Sequence, residues 1–273
     1  MRKGKKVRSE NLELEENVLI NDFGEAEIYK YLGIEENAGI EHKRMRESVG
    51  KEYLKRTKRI CKTQLTNKNK IVAINQLAVP VLNYSFGVVD WPQNEIDKLD
   101  VKTRKILTLH KITYRNQCLD RIYLPRKKGG LGLTEINHAH RAAIVSLGQY
   151  LTSSINEKTK LIKKHQYQLS QQTSITKLAE NFGMNCLENV EENENLKATK
   201  IARRARTRYT KRDQELKENK WESHDRAKKF PEEIKKNYIN KDDSLEWLRL
   251  GKLNFDRESN CSGSRSRIGY KRL

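Results

Sequence analysis

Apolar and polar positions alternate over residues 10–34 of this chain and then change period. Leu12 and Leu14 lie two apart, and Ile28, Lys30 and Leu32 face opposite Tyr29 and Tyr31. That is the two-residue period of a strand. Asn21, Asp22 and Gly24 offer the turn, and Gly33 and Gly39 punctuate the exit, so a small β-hairpin is predicted near residues 12–34. Over residues 41–66 the pattern becomes helical, with Met45, Val49, Tyr53 and Ile60 on one arc. Lys51, Lys55, Lys58 and Lys62 fall on the opposite arc, joined by Arg44 and Arg59. Residues 68–89 are apolar almost all round, which predicts the most buried helix of the domain, the one holding Ala73, Leu77 and Leu82. Trp91, Pro92, Gln93 and Asn94 stop it, and Asn94 is placed to cap a helix running to His110. That helix points Ile96, Leu99, Ile106 and Leu107 inward and Lys98, Lys102 and Lys105 outward. Thr134 is placed to cap a further helix to Leu151, with Ile136, Ala143, Leu147 and Tyr150 inward.

Beyond residue 153 the character shifts. Residues 156–180 allow a helix or two, on Leu161, His165 and Leu169 and then on Ile175, Leu178 and Phe182. Residues 188–195 are acidic, and residues 196–229 hold 13 Lys or Arg against 5 acids on sparse apolar spacing. Leu245, Trp247, Leu248 and Leu250 suggest a last amphipathic turn. Residues 258–273 are of low complexity, and disorder is expected there. The fold class predicted is mainly α, with a small N-terminal β-hairpin, a helical bundle and a basic helical or disordered connector.

Charge sharpens the choice of partner. The 273 residues carry a net charge of +20, with 36% hydrophobic and 34% charged residues. Such an excess attracts polyanions, nucleic acid before acidic membrane. It concentrates in residues 41–70, where 11 Lys or Arg meet 3 Glu. Cys61, Cys118, Cys186 and Cys261 are far apart with no CxxC pair, which fits free thiols in a reducing compartment. The charged start, Met1 to Arg8, leads into no apolar run, so no secretory signal is expected and an intracellular place, cytoplasmic or nuclear, is predicted. Residues 71–89 hold no charge over 19 positions, long enough for a membrane span. However, Asn75, Gln76, Asn83 and Pro80 would leave unsatisfied polar groups in lipid, so a core helix and no membrane partner are expected.

Signals for chemistry are weak. His138 and His140 flank Ala139 in a segment that reads as helix, where such positions diverge, so no zinc site is expected. Gly129, Gly130 and Gly132 lack the Gly-Lys-Ser/Thr ending of a phosphate loop. They read as a glycine turn, although Arg126, Lys127 and Lys128 beside it would suit a sugar-phosphate backbone.

Three blocks carry a family resemblance. They are Tyr29-Lys30-Tyr31-Leu32-Gly33-Ile34; Ala73 to Trp91 running on to Leu99 through Thr108; and Arg121 to Leu133 with its Arg126, Gly129, Gly130 and Gly132. In this order they cover roughly residues 28–151, about half of the chain, and resemble the primer grip and thumb of reverse transcriptases from LINE-like, non-LTR retrotransposons. The resemblance implies a terminal palm hairpin with a primer-grip-like motif over 1–37, a helical thumb over 38–151, a basic helical connector over 152–250 and a disordered tail over 251–273. It assigns Tyr29, Lys30, Tyr31, Leu32 and Gly33 to the grip. Read together with the charge pattern, it makes Lys51, Lys55, Arg59, Lys62, Lys102, Lys105, Arg121, Arg126, Lys127 and Lys128 the nucleic-acid contacts.

The same resemblance implies what this chain lacks. The family holds two Mg2+ ions on palm carboxylates in an aromatic-x-Asp-Asp motif, which would lie upstream of Met1. Asp242-Asp243 follows Asn240 and Lys241, with no aromatic in place and on the wrong side of the thumb. No catalytic residue, no metal ligand and no cofactor are therefore expected in this chain. The sequence departs from the family at Leu131, commonly Arg, and over Lys111 to Cys118, where His and Pro are usual. The expected function is that of a C-terminal fragment of an RNA-directed DNA polymerase, inactive alone, with residual backbone binding to RNA or an RNA–DNA hybrid. The competing expectation is a non-enzymatic basic helical nucleic-acid-binding or interaction protein unrelated to polymerases.

Overall fold

The computed structural model describes residues 12–15, 18–20, 29–31, 33–36, 39–115, 117–169, 174–183 and 197–223, and only the backbone of those before Lys30. Asp242, Asp243, the 188–195 run, the Leu245–Leu250 turn, the 251–273 tail, Leu32, Cys186 and Cys261 lie outside the described residues. Two units divide the chain, residues 1–47 and 48–273.

In the first unit, β1 (Leu12–Glu15) pairs antiparallel with β2 (Val18–Ile20), setting Leu12 opposite Ile20. A second hairpin pairs β3 (Tyr29–Tyr31) with β4 (Ile34–Glu36), setting Lys30 opposite Glu35. The single hairpin expected near 12–34 is thus two, neither turning at 21–24. Gly33, at φ +85°, takes the left-handed conformation that the short β3–β4 connection requires. β4 is tied to the first turns of α1 (His42–Cys61) by Arg44 Nε on Glu35 Oε2 at 2.6 Å and by the Glu35 N–H on Met45 Sδ at 3.4 Å.

The second unit is helical. α1 buries Gly50, Tyr53, Thr57 and Cys61, with Val49 and Ile60 half-buried. It packs on α4 (Gln93–Leu109). A Cβ on Gly50 would stand 3.5 Å from Leu99 Cδ2, and the Tyr53 hydroxyl lies 3.0 Å from Thr103 Oγ1. Thr103 gives its own proton to the Leu99 carbonyl at 2.8 Å, so Tyr53 is the donor of that pair. Burial pushes the Tyr53 pKa up to about 12.

The apolar segment expected over 68–89 is a helix with a defect. α2 (Asn67–Ala73), capped by Thr66, runs through a π-helical turn (Ile74–Ala78) into α3 (Val79–Ser85). The defect sits just ahead of Pro80, which has no N–H and whose ring would strike the Gln76 carbonyl in a regular helix. In the wider turn the Val79 N–H reaches back to the Ile74 carbonyl. The Leu77 carbonyl instead accepts from Arg56 Nη1 of α1 at 3.0 Å. Ile71, Ile74, Ala78, Val79 and Leu82 are buried, but Leu77 is 57% and Tyr84 59% exposed, with Val72 and Val88 also open. The all-round burial expected of this segment is therefore corrected to one buried face. Ser85 and Trp91 close its end, Trp91 Nε1 donating to Ser85 Oγ at 3.1 Å.

α6 (Ile136–Ser153) is the hub instead. α3, α4, α7 (Glu157–Gln168), α8 (Ile175–Asn181) and α9 (Ala198–Ser223) all pack against it. Its buried positions are Ile136, Ala139, His140, Ala142, Ile144, Val145, Gly148 and Leu151. Of the expected stripe only Ile136 is buried. Ala143, Leu147 and Tyr150 are half-buried, because α8 and α9 cover faces that the first 151 residues would leave open.

The expected caps are also corrected. α4 begins one residue before Asn94, with Pro92 in the cap position. α6 is capped not by Thr134 but from α4. Asp100 Oδ1 accepts from the Ile136 N–H at 2.9 Å and Oδ2 from the Asn137 N–H at 3.0 Å, a carboxylate on two orphan amides of a helix start.

Candidate nucleic-acid interface

Lys51, Lys55 and Arg59 are exposed on α1, with Lys58 beside them, and Lys62 is exposed in the turn just past its end. The inward arc of Tyr53, Thr57 and Cys61 dictates this, since basic side chains on the opposite arc of a packed helix can only face water. Glu52 is the acid near this row. Its carboxylate takes Arg56 Nε at 2.8 Å, with Lys55 at 3.9 Å. The hydrogen bond from Arg56, helped by Lys55 and Arg59, holds the Glu52 pKa below its ordinary value. On α4, Lys98, Lys102 and Lys105 are exposed, opposite Leu99, Thr103 and Ile106. In the β3–β4 hairpin Lys30, Tyr31 and Gly33 are exposed, while the Tyr29 side chain and Leu32 lie outside the described residues.

The basic and glycine segment is largely turned to internal work. α5 (Leu119–Tyr123) leads into a 3-10 turn (Arg126–Lys128), and the chain folds back so that Leu131, Gly132 and Leu133 donate N–H groups to the carbonyls of Arg121, Leu124 and Ile122. Gly130 presses on Leu124, where a Cβ would lie 1.9 Å from the carbonyl oxygen. Gly129 and Gly132 take φ of +85° and +79°. Arg121 donates Nε to the Gly129 carbonyl at 3.1 Å and so clamps the loop it belongs to. Lys128 pairs with Glu218 of α9 at 2.7 Å. Arg126 is half-buried and Lys127 faces solvent. Of the ten basic residues assigned to nucleic acid, Lys51, Lys55, Arg59, Lys62, Lys102, Lys105 and Lys127 are exposed. Arg121 and Lys128 hold the fold together.

A second cluster was not signalled as a site by the sequence. Asn75 on the π turn grips the glycine segment, Nδ2 donating to the Gly132 carbonyl at 2.8 Å and Oδ1 accepting from the Thr134 N–H at 2.9 Å. Across from it, Lys217 of α9 reaches Glu135 Oε2 at 2.6 Å and the Asp213 carboxylate, and lies 5.6 Å over the Tyr123 ring. Burial pulls the Lys217 pKa down, but Glu135 and Asp213 more than offset it and the net shift is upward. Burial alone would raise Asp213, yet its bonds to His138 and Lys217 bring it down to about 2. His138 Nδ1 stands 2.9 Å from Asp213 Oδ2, and its Nε2 stands 3.3 Å from Thr210 Oγ1. An Asp-His-Thr row invites a nucleophile reading, but Thr210 gives its proton to the Arg206 carbonyl at 2.9 Å. The row therefore tethers α9 to α6 rather than activating a hydroxyl.

His140 diverges from His138, as the helical reading required. Its ring packs edge-on against Phe86 at 5.1 Å and Phe182 at 6.1 Å. Burial, with Arg141 beside it, lowers its pKa to about 4. No three metal-ligating side chains cluster among the described residues. No helix among the described residues is long and apolar enough to cross a membrane. No protein-family model matches the chain, and no curated protein matches it.

Proposed function

We propose that this chain is a C-terminal piece of a reverse transcriptase of the LINE-like, non-LTR type, retaining backbone binding to RNA or an RNA–DNA hybrid and lacking the means to extend a primer. The three ordered sequence blocks support the ancestry. The observation that carries the binding is the α1 face, where Lys51, Lys55, Lys58, Arg59 and Lys62 stand exposed opposite a buried Tyr53–Thr57–Cys61 arc. Ammonium groups as point charges and the Arg59 guanidinium as a fork meet phosphates in such a row and read no bases, so selectivity among sequences is low.

The test is the salt dependence of binding to RNA and hybrid by the full chain and by a variant with Lys51, Lys55, Arg59 and Lys62 all replaced by Gln. Removing each phosphate-bound cation reduces the slope of log affinity against log salt by about 0.7–0.9. Affinity falls by a similar factor for unrelated sequences. An unchanged slope in the variant overturns the reading. With a primed template, Mg2+ and nucleotides the chain gives no extension product, and extension that survives removal of contaminating polymerase defeats the catalytic half of the proposal.

A second reading, a basic helical binder with no polymerase ancestry, is favoured by the exposed Arg203, Arg204, Arg206 and Arg208 on α9. It predicts that changing these four to Gln, and not the α1 four, abolishes binding.

A further inference from the structure

Two cationic rows of the second unit end in exposed leucines. On α4 the outward positions Lys98, Lys102 and Lys105 run on, at helical spacing, to Leu109, which is 77% exposed. The α1 row of Lys55 and Arg59 continues in Lys62, just past the helix end, and then in Leu65, 41% exposed in the connection to α2.

The two ends lie together. Gly50 faces Leu99 and Tyr53 faces Thr103, so α1 and α4 run in the same direction and finish at the same end. Burial, then Lys70, then Lys62 lower the pKa of His110, the residue that caps α4, which sets the end of α1 beside it.

A lone surface leucine needs no explanation. Two at one end of a parallel pair, in a setting without acids, do. Residues 53–89 and 101–119 contain no Asp or Glu, while Arg59, Lys62, Lys105 and Lys111 are exposed near the leucines along the chain. Phosphate tracking along RNA uses these cations and leaves the leucines in water. A second copy of the chain would set the same cationic rim against itself. An anionic bilayer complements both parts, because its headgroups take the cations and its acyl boundary takes the leucines. Lysines beside an inserted apolar side chain bury their stems and keep the ammonium at headgroup level.

We propose that the shared end of α1 and α4 docks on the surface of an anionic lipid bilayer. Leu65 and Leu109 enter the headgroup–acyl boundary, and Arg59, Lys62, Lys105 and Lys111 meet the lipid headgroups. The attachment is peripheral, and no helix needs to cross. Leu65, Leu109 and Lys111 stand outside the phosphate-binding assignment, so variants of these three test lipid docking apart from RNA binding.

Flotation of the full chain with vesicles tests it. At low ionic strength the chain partitions onto phosphatidylcholine vesicles that contain phosphatidylserine and stays in solution with phosphatidylcholine alone. The double change Leu65→Ser and Leu109→Ser weakens partition about tenfold, the effect of two partly inserted leucines. Lys111→Gln weakens it about fivefold, as the loss of one surface cation should. The leucine variant binds RNA within about twofold of the parent, because phosphate contacts do not use it.

No partition onto phosphatidylserine vesicles overturns the proposal and gives the tip to a protein groove with an acidic rim. Partition indifferent to the leucine change overturns it too, since adhesion by charge then suffices. So does an equal loss of RNA affinity in that variant, which makes the leucines wedges between bases. A dimer in sedimentation velocity that the leucine change dissolves has the same force. Circular dichroism checks that the leucine variant folds, and Lys111→Gln gives an independent reading. Failure of the RNA proposal shows in the α1 Gln variant on RNA; failure of this one shows in the leucine variant on vesicles.

Discussion

α1 and α9 are both basic amphipathic helices, yet they use charge in opposite ways. α1 has an inward arc with large side chains, Tyr53 above all, so its lysines are left over for solvent. α9 has only Ala202, Ala205 and Trp221 buried, and completes its docking with Asp213, Lys217 and Glu218 on His138, Glu135 and Lys128. One helix is held by apolar burial and offers its charge outward. The other spends part of its charge on being held. A count of basic residues distinguishes neither case, because what matters is whether the opposite face can hold the helix without them.

The largest effect expected from this contrast is on the apolar side. Tyr53→Ala removes a fully buried ring and the bond to Thr103, and should cost about 3–5 kcal/mol in denaturant unfolding. If the loss is under 1 kcal/mol, α1 is not held as described.

Next comes a pH effect from two buried groups of opposite sign. His140, lowered to about 4, contributes stability present above the unfolded histidine range near 6.5 and lost as pH falls to about 4. Asp100, which burial raises to about 6 against its bonds to Ile136 and Asn137, does the reverse, favouring the fold as pH falls from 6 to about 4. The two nearly cancel, so their joint contribution to stability should be almost flat across that window. Asp100→Asn removes the compensation and should expose a loss of about 3 kcal/mol between pH 6.5 and 4, seen as a steep midpoint shift. A variant as flat as the parent would refute the burial of His140.

Lys217→Ala is third. It leaves Glu135 and Asp213 facing each other without their shared cation, and should cost about 2 kcal/mol, less at high salt. Protease cleavage within α9 should speed up accordingly, while α1 stays protected. The smallest effect is on stability in the quadruple α1 Gln variant, within about 0.5 kcal/mol, because Gln is a good helix former and the four side chains are exposed.

What the sequence disclosed follows the same division. Strand and helix periods placed β3, α1, α4 and α8, and Ile175, Leu178 and Phe182 do pack with Ile144 and Ala179. The period of α1 reported a real boundary between core and water. The period of α6 misled, since its extra burial comes from α8 and α9, far along the chain. α9 itself was hard to foresee because small alanines and interhelical ion pairs leave no apolar stripe. Leu161 shows the converse, an apparent inward position of α7 that is 69% exposed. Among the candidate contacts, the exposed lysines of α1 and α4 were legible from the wheel. The duties of Arg121 and Lys128 were not, because their acceptors lie on a loop fold-back and on a helix 90 residues away. Asn75 was weighed only as a polar interruption in an apolar run, whereas it clamps a loop.

The π turn ahead of Pro80 has a consequence for how this segment tolerates change in length. A π turn amounts to one residue inserted into an α-helix, with both flanks keeping their faces. Gln76 and Leu77 are its solvent-facing positions. Loss of a single codon there would restore the regular helical repeat while keeping Ile71 and Leu82 inward, at the cost of setting the proline ring against a carbonyl. The segment is thus a hinge in genetic register, where a one-codon deletion changes the local winding and spares the packed face, whereas the same deletion in α6 would rotate half of the hub away from its neighbours.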